Sequence, residues 1–318
     1  MDKPLVAIMI PTYNDSGTLK RCLRSALEQD YENLMVVALD NRSEDGTYDI
    51  LVDFERQYRD RLYTGRTFAR LISHEHRRRC LDLINPRSRF VQYLNAAGVL
   101  LPTYVSHCVE LFESNEQIGC VMTHADVLHP SGSIEPAPGY YPGDCVIAGD
   151  TQMESFMARG LEVNAVQLYR IEVYNLSLAE KLVFKRFPDW LPLVMASSIS
   201  NLGYIHETLA FRGDSAAIQG ERFIANVEDL LEHYIFLQAF NTIAARLERH
   251  EVCEQFPSAL KRLGMECVRS SRLSLEAGEP LKARSCLSLA LAYLPEIAET
   301  SAFRQVAELF ENRSQDWK

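Results

Sequence analysis

The residues able to do chemistry fall in a few short stretches of this 318-residue chain. Thr12-Tyr13-Asn14-Asp15 and Asp40-Asn41-Arg42-Ser43-Glu44-Asp45-Gly46-Thr47 gather hydroxyls, amides, carboxylates and an aromatic ring. Such groups can hold a polar small molecule; read locally, Thr12 and Asp40 are helix caps. Arg77-Arg78-Arg79, followed by Arg87 and Arg89, offers planar guanidinium forks that suit phosphate oxygens. A solvated basic patch is the alternative. Phe187-Pro188-Asp189-Trp190 sets a carboxylate beside a large aromatic, which locally reads as a helix N-cap before a core residue. His74 and His76 can share a metal only on a strand, and no acidic partner is evident. No nucleophile–His–acid arrangement is identifiable from spacing. Gly213-Asp214-Ser215 lacks the strand–glycine context of a phosphate loop.

Composition narrows the classes. A net charge of −10 argues against a nucleic-acid binder, although a local anion site needs only a few groups. No apolar run approaches the length of a membrane span, and the start of the chain shows no leader pattern. The eight cysteines are scattered, with no C-x-x-C pair. That excludes a disulfide framework or clustered zinc ligands and points to reduced thiols in a cytoplasmic protein.

The elements that must position these residues read as strand and helix in alternation. Leu5–Ile10 is a continuous apolar run, as a strand buried on both faces requires. After Pro11-Thr12-Tyr13-Asn14, Asp15 or Ser16 can cap a helix with Leu19, Cys22, Leu23, Ala26 and Leu27 on one face. A second apolar run, Leu34–Leu39, ends in the Asp40–Gly46 loop, which leads into another helix, and Arg89–Leu94 forms a further strand ending in Asn95-Ala96-Ala97-Gly98. This alternation predicts a parallel sheet with both polar loops at its carboxyl edge, where ligands bind. Pro and Gly crowd residues 130–145, which predicts a long irregular loop. From 221 to 318 helical periodicity takes over, punctuated at Phe256-Pro257, Gly278-Glu279-Pro280 and Pro295; Ala283–Pro295 faintly resembles a tetratricopeptide helix.

These stretches resemble glycosyltransferase family 2, whose domains have the GT-A fold. The family's P-T-Y-N-E reads here Pro11-Thr12-Tyr13-Asn14-Asp15, its following helix reads Leu19 to Gln29, and its D-D-G-S-T-D-G-T reads Asp40 to Thr47. Its A-R-N segment falls on Arg78-Arg79-Cys80 and its D-A-D-D on Asn95-Ala96-Ala97-Gly98. Its D-W preceded by F falls on Phe187 to Trp190, and its later Y-I-x-E-x-L-A followed by R on Tyr204 to Arg212. The resemblance implies an α/β, Rossmann-like domain over 1–220, mainly parallel, with a helical extension over 221–318 that it does not explain. It implies that Pro11, Thr12, Tyr13, Asn14, Asp40, Asn41, Arg79, Asn95 and Trp190 bind a nucleotide sugar. Asp189 would be the base of an inverting transfer, and His124 and Asp126 would lie in a strand-and-turn segment on the acceptor side.

The departures concern the metal. Asn95, Ala97 and Gly98 stand where the family carries acids, and Gly213-Asp214 follows Arg212 where it carries a histidine. Divalent ions need hard oxygen ligands, so no tightly bound cofactor, Mn or Mg, is expected. The resemblance favours a UDP-sugar, with Asn41 replacing the base-reading acid. The acceptor would be a glycan, a lipid-linked glycan or a protein, and the chain would be cytoplasmic or peripheral at the inner face of the membrane. A non-catalytic binding or interaction module is the alternative, and the helical tail would serve a homodimer or a partner protein.

Overall fold

The computed structural model describes residues 3–161, 165–179, 190–213 and 226–313. β1 (Val6–Thr12) is followed by α1 (Leu19–Leu27), β2 (Leu34–Asp40), α2 (Thr47–Gln57), β3 (Leu62–Arg66) and α3 (Ser73–Asp82). Next come β4 (Phe90–Tyr93), β5 (Val99–Leu100), α4 (Tyr104–Ser114), β6 (Ile118–Leu128), β7 (Ile134–Glu135) and β8 (Cys145–Ile147). α5 (Gly149–Arg159), β9 (Ala165–Arg170), α6 (Ile171–Ala179), α7 (Trp190–Ile199) and β10 (Asn201–Gly213) complete the sheet region.

The strands form one sheet in the order β3-β2-β1-β4-β9-β6-β10-β5, with β7 added on β6 and β8 on β10. β1, β2, β3 and β4 are parallel neighbours, as are β6 and β10. β9 runs antiparallel to both β4 and β6, so the carboxyl ends of β4 and β6 still share one edge. This is the mainly parallel α/β sheet that the alternation predicts. β2 is buried at every position, the burial that its apolar sequence requires. α1 buries the five residues expected of its apolar face, Leu19, Cys22, Leu23, Ala26 and Leu27, against Ile8, Ile10 and Val36. Each fully buried leucine contributes roughly 1.5–3 kcal/mol.

Two local expectations are corrected. α1 is preceded by Thr18 at its N-cap, and the Asp15 carboxylate accepts the Tyr13 N–H at 2.8 Å instead of capping the helix. His74 and His76 lie on α3, not on a strand, so they point to different sides of a helix. His76 is buried and its Nε2 bonds the Leu39 carbonyl at 2.9 Å, which removes it as a metal ligand.

The chain divides into two compact units. One holds the sheet with its helices. The other contains α5 from Met153 onward and the helices of the tail. These are α8 (Val227–Arg246), α9 (His250–Glu254), α10 (Phe256–Glu276), α11 (Pro280–Tyr293), a 3-10 turn (Pro295–Glu299) and α12 (Ser301–Arg313). The prolines that punctuate the sequence start elements here: Pro257, Pro280 and Pro295 all fall in first turns, where the missing N–H costs nothing. Tyr234 stacks on Tyr293 with ring centroids 4.3 Å apart, and Arg262 caps α5 by donating to the Met157 carbonyl at 3.1 Å and to that of Ala158.

Two imidazoles tie stability to pH. Burial lowers the pKa of His76 below its ordinary 6.5. Burial, aided by Arg262, lowers that of His233 to about 4. Both are neutral when folded, so their contribution is complete above pH 6.5 and is lost as pH falls through the folded values. Between pH 7 and 4, His233 should cost on the order of 3 kcal/mol of stability. Urea unfolding at both pH values checks this; His233→Gln should flatten the dependence, and an equally steep loss in that variant would show that other groups cause it.

Candidate active site

The two polar loops meet at the carboxyl edge because β1 and β2 pair in parallel with Thr12 opposite Asp40. Asp40 is fully buried. Its carboxylate takes the Ser43 N–H at 3.1 and 3.3 Å and pairs with Arg66 Nε at 3.0 Å. Arg66, from the end of β3, also donates to the Ser43 carbonyl and lies over the Tyr48 ring at 5.1 Å. Thr12 is buried and donates its hydroxyl to the Leu39 carbonyl. The Asn41 amide is used in both senses: its oxygen accepts the Leu71 N–H at 2.8 Å and its nitrogen donates to the Leu71 carbonyl at 2.9 Å. Thr12, Asp40 and Asn41 are thus brought together as anchors of the edge, with their polar atoms turned inward. Asn14 joins the loops with a positive φ of 55°: its N–H donates to Ser43 Oγ and its amide oxygen accepts the Glu44 N–H.

What the edge shows to solvent is different. Tyr13 is 36% exposed, and the Arg70 guanidinium lies 4.3 Å from its ring centroid. Pro11, at the end of β1, is half-buried. On α3 the buried residues His76 and Cys80 face the sheet. Arg77, beside them, lies over the Tyr93 ring at 3.5 Å. Residues two apart on a helix face nearly opposite ways. Arg79 accordingly stands on the solvent side, where it pairs with Asp82 at 3.6 Å.

Just past Tyr93, Asn95 begins a tight turn. Its side-chain oxygen accepts the Ala97 N–H at 2.9 Å, and its carbonyl accepts the Gly98 N–H at 2.8 Å. Ala97 packs directly on Gly213 at the end of β10, where an added Cβ would come within 2.3 Å of the Ala97 methyl. That close approach requires glycine at 213. The donor set here does not fit a divalent ion: one amide oxygen, already bonded, and a methyl group. Among the described residues no three His, Cys, Asp or Glu side chains converge on a metal position.

The sequence profile of Glycosyl transferase family 2 matches residues 7–166, half of the chain. The chain belongs to glycosyl transferase family 2. Its fold is that of S. aureus TarS (residues 1–349, in complex with UDP-GlcNAc), with a TM-score of 0.60 at 14% identity over 97% of this chain and 92% of that one. A mannosyltransferase from Pyrobaculum calidifontis, in complex with GDP-Man and Mn2+, aligns with a TM-score of 0.52 at 14% identity, over 96% of this chain and 83% of that one. Both are GT-A enzymes. The chondroitin synthase of Escherichia coli is 30% identical over 38% of this chain and 17% of its own length. The chain spans a third or less of the length of the curated relatives it matches.

Family 2 motifs thus stand at the edge where GT-A sheets bind ligands, and the structure sorts their residues. Pro11, Thr12, Tyr13, Asn14, Asp40 and Asn41 cluster there, and Asn95 lies at the end of the adjacent β4. Trp190 opens α7 and is 8% exposed, which leaves little of its face for a sugar in this conformation. Asp189 lies outside the described residues. Sequence reasoning missed Arg66 and Arg70, and within the run Arg77-Arg78-Arg79 it singled out Arg79 and not Arg77. The signal for Arg77 was present in the helical spacing: His76 and Cys80 mark the sheet-facing side, and Arg77 adjoins them.

Proposed function

We propose that this chain transfers a sugar from a nucleoside diphosphate sugar to an acceptor hydroxyl with inversion, arginine taking the place of a metal ion at the diphosphate. The observation that carries this reading is the position of Arg77 on Tyr93, beside the Asn95 turn where relatives of the family bear metal-binding acids. A guanidinium there can pair with phosphate oxygens in fork geometry and offset the charge that develops as the diphosphate leaves. Tyr13 and Arg70 offer a ring and a cation to the nucleoside. In the step itself the acceptor oxygen loses its proton to a carboxylate, proposed as Asp189, and bonds to the anomeric carbon. The bond from that carbon to the phosphate oxygen breaks, and its electron pair leaves with the nucleoside diphosphate.

UDP-GlcNAc in TarS and GDP-Man in the Pyrobaculum enzyme support a nucleotide sugar as donor. The chondroitin synthase match supports a polysaccharide as acceptor. Cytoplasmic placement rests on the eight free thiols; no helix among the described residues is long and apolar enough to cross a membrane. A second reading, a non-catalytic binding module, draws on the inward-turned groups of Thr12, Asp40 and Asn41. Calorimetric titration with UDP, GDP, CDP and TDP, each with and without Mn2+, separates the two. Micromolar binding of one nucleotide, unchanged by the metal, is expected. A large gain in affinity with Mn2+ would overturn the arginine reading, and no binding at all would favour the non-catalytic module.

A further inference from the structure

We propose that the carboxyl ends of β6 and β10, with the 136–144 segment laid over them, form a binding subsite for a saccharide acceptor, centred on Nδ1 of His124. This rests on the glycosyltransferase reading and names the substrate class and the residues that would take it.

His124 is 7% exposed, and its Nε2 lies 3.2 Å from Asp126 Oδ1. The same carboxylate accepts the Ala137 N–H at 3.0 Å and the Thr208 hydroxyl at 3.2 Å. An ionised carboxylate only accepts hydrogen bonds, so Nε2 carries the imidazole hydrogen and Nδ1 carries a lone pair. That Nδ1 is buried and has no hydrogen-bond partner among the described residues. A buried acceptor without a donor costs folding free energy and calls for an explanation, such as a ligand that supplies the donor. A sugar hydroxyl is such a donor.

The surroundings suit a sugar. Five rings run in file to this atom: Tyr140 to Tyr141 at 4.9 Å, Tyr141 to Tyr204 at 5.5 Å, Tyr204 to His206 at 6.2 Å, and His206 to His124 at 6.0 Å. Ring faces and edges pack against the apolar C–H faces of sugars. The overlying segment is held by Ala137 on Asp126, the Tyr140 N–H on the Tyr204 hydroxyl at 3.1 Å, the Tyr141 hydroxyl on Gln152 at 2.7 Å, and Asp144 on the His206 N–H at 2.8 Å. The β6–β10 pairing is also irregular here. The register jumps between Ile205 and Thr208, so His206 and Glu207 are left out of the ladder and exposed. Bulges of this kind re-aim side chains beside binding sites.

The register places this atom opposite the donor. His124 pairs with Ala165 on β9, and Leu168 on β9 pairs with Gln92 on β4. Extending the count three residues, past Tyr93 where β4 ends, brings His124 to the level of the Asn95 turn, on the sheet face that carries Tyr93. Two strand spacings, about 10 Å, separate β4 from β6. That is the room needed for a donor sugar at Asn95 and an acceptor hydroxyl at His124.

The test is imidazole 15N NMR on the full chain, titrated with chondroitin hexasaccharide, chitotetraose and maltotetraose, with the four nucleoside diphosphates titrated in parallel. At least one oligosaccharide should shift the His124 Nδ1 resonance. His124→Gln should weaken its binding at least tenfold while nucleotide affinity stays within twofold. Asp126→Asn, which can donate to Nε2 and switch the tautomer, should do the same. If His124→Gln fails to fold, the exposed His206→Ala serves, with a loss of at least threefold. Failure of all three oligosaccharides to move His124, or equal affinity in the variants, would overturn the subsite. Loss of nucleotide binding with saccharide binding retained would instead count against the donor site and leave the subsite standing.

Discussion

Asp40→Asn is expected to remove nucleotide binding, by at least about 100-fold, and to lower stability by about 2 kcal/mol. Asp40 is fully buried, and its charge is matched by Arg66 Nε at 3.0 Å and the Ser43 N–H. An amide keeps the shape but removes the charge, and its NH2 faces the donors that the carboxylate accepted. The Arg66 side chain is 34% exposed, so water recovers part of its loss, which is why the cost falls below that of a fully buried pair. The larger effect is on geometry. Asp40 holds the 41–46 loop through Ser43 and holds Arg66, which in turn binds the Ser43 carbonyl and covers Tyr48. Releasing these together unfastens the loop that Asn14 bridges to β1. Urea unfolding and calorimetry on the same preparation give both numbers. A variant that binds nucleotide as the parent does would show that Asp40 is a local cap and nothing more.

Arg77→Ala should weaken nucleoside diphosphate binding by about 10–100-fold, the equivalent of one or two charge-assisted hydrogen bonds. The corresponding nucleoside should bind as before, because the contact is with phosphate. Arg79→Ala should change affinity by less than about twofold, since its guanidinium pairs with Asp82 on the solvent side. Mn2+ should rescue neither variant, because Asn95 and Ala97 supply no carboxylate to hold it. The reverse order, with Arg79→Ala the weaker binder, would move the phosphate contact to the outer face of α3. Arg77→Lys is informative as well: a point charge on a flexible stem keeps the electrostatics but loses the fork, so an intermediate loss is expected.

Much of the frame was legible in the sequence because it rests on local rules. Continuous apolar runs specify strands buried on both faces, and Leu19, Cys22, Leu23, Ala26 and Leu27 specify the buried side of α1 by their spacing alone. The alternation of strand, loop and helix implies parallel pairing, which puts Thr12 beside Asp40. Substitution of the acids at 95 and 97 is likewise a fact of sequence. The close packing of Gly213 on Ala97, which excludes a side chain at 213, is a fact of the fold.

Side-chain roles depended on the tertiary structure, because residue type says what a group can do and not which partner reaches it first. Thr12, Asp40 and Asn41 read as ligands to a nucleotide, and the structure adds their partners within the fold: Leu39, Arg66 with Ser43, and Leu71. Local periodicity carries no record of such partners: apart from Ser43, three residues from Asp40, they lie on β2, on β3 and in the loop before α3. The choice between Arg77 and Arg79 follows from the rotation of α3, which only its packing on β1 and β2 fixes. His124, Asp126, Thr208 and His206 come together from two distant strands, Asp126 and Thr208 meeting across 82 residues of chain. The register of β6 on β10 and its slip past His206 set that meeting. Such long-range pairings are decided by closure of the whole sheet, and no window of sequence contains them.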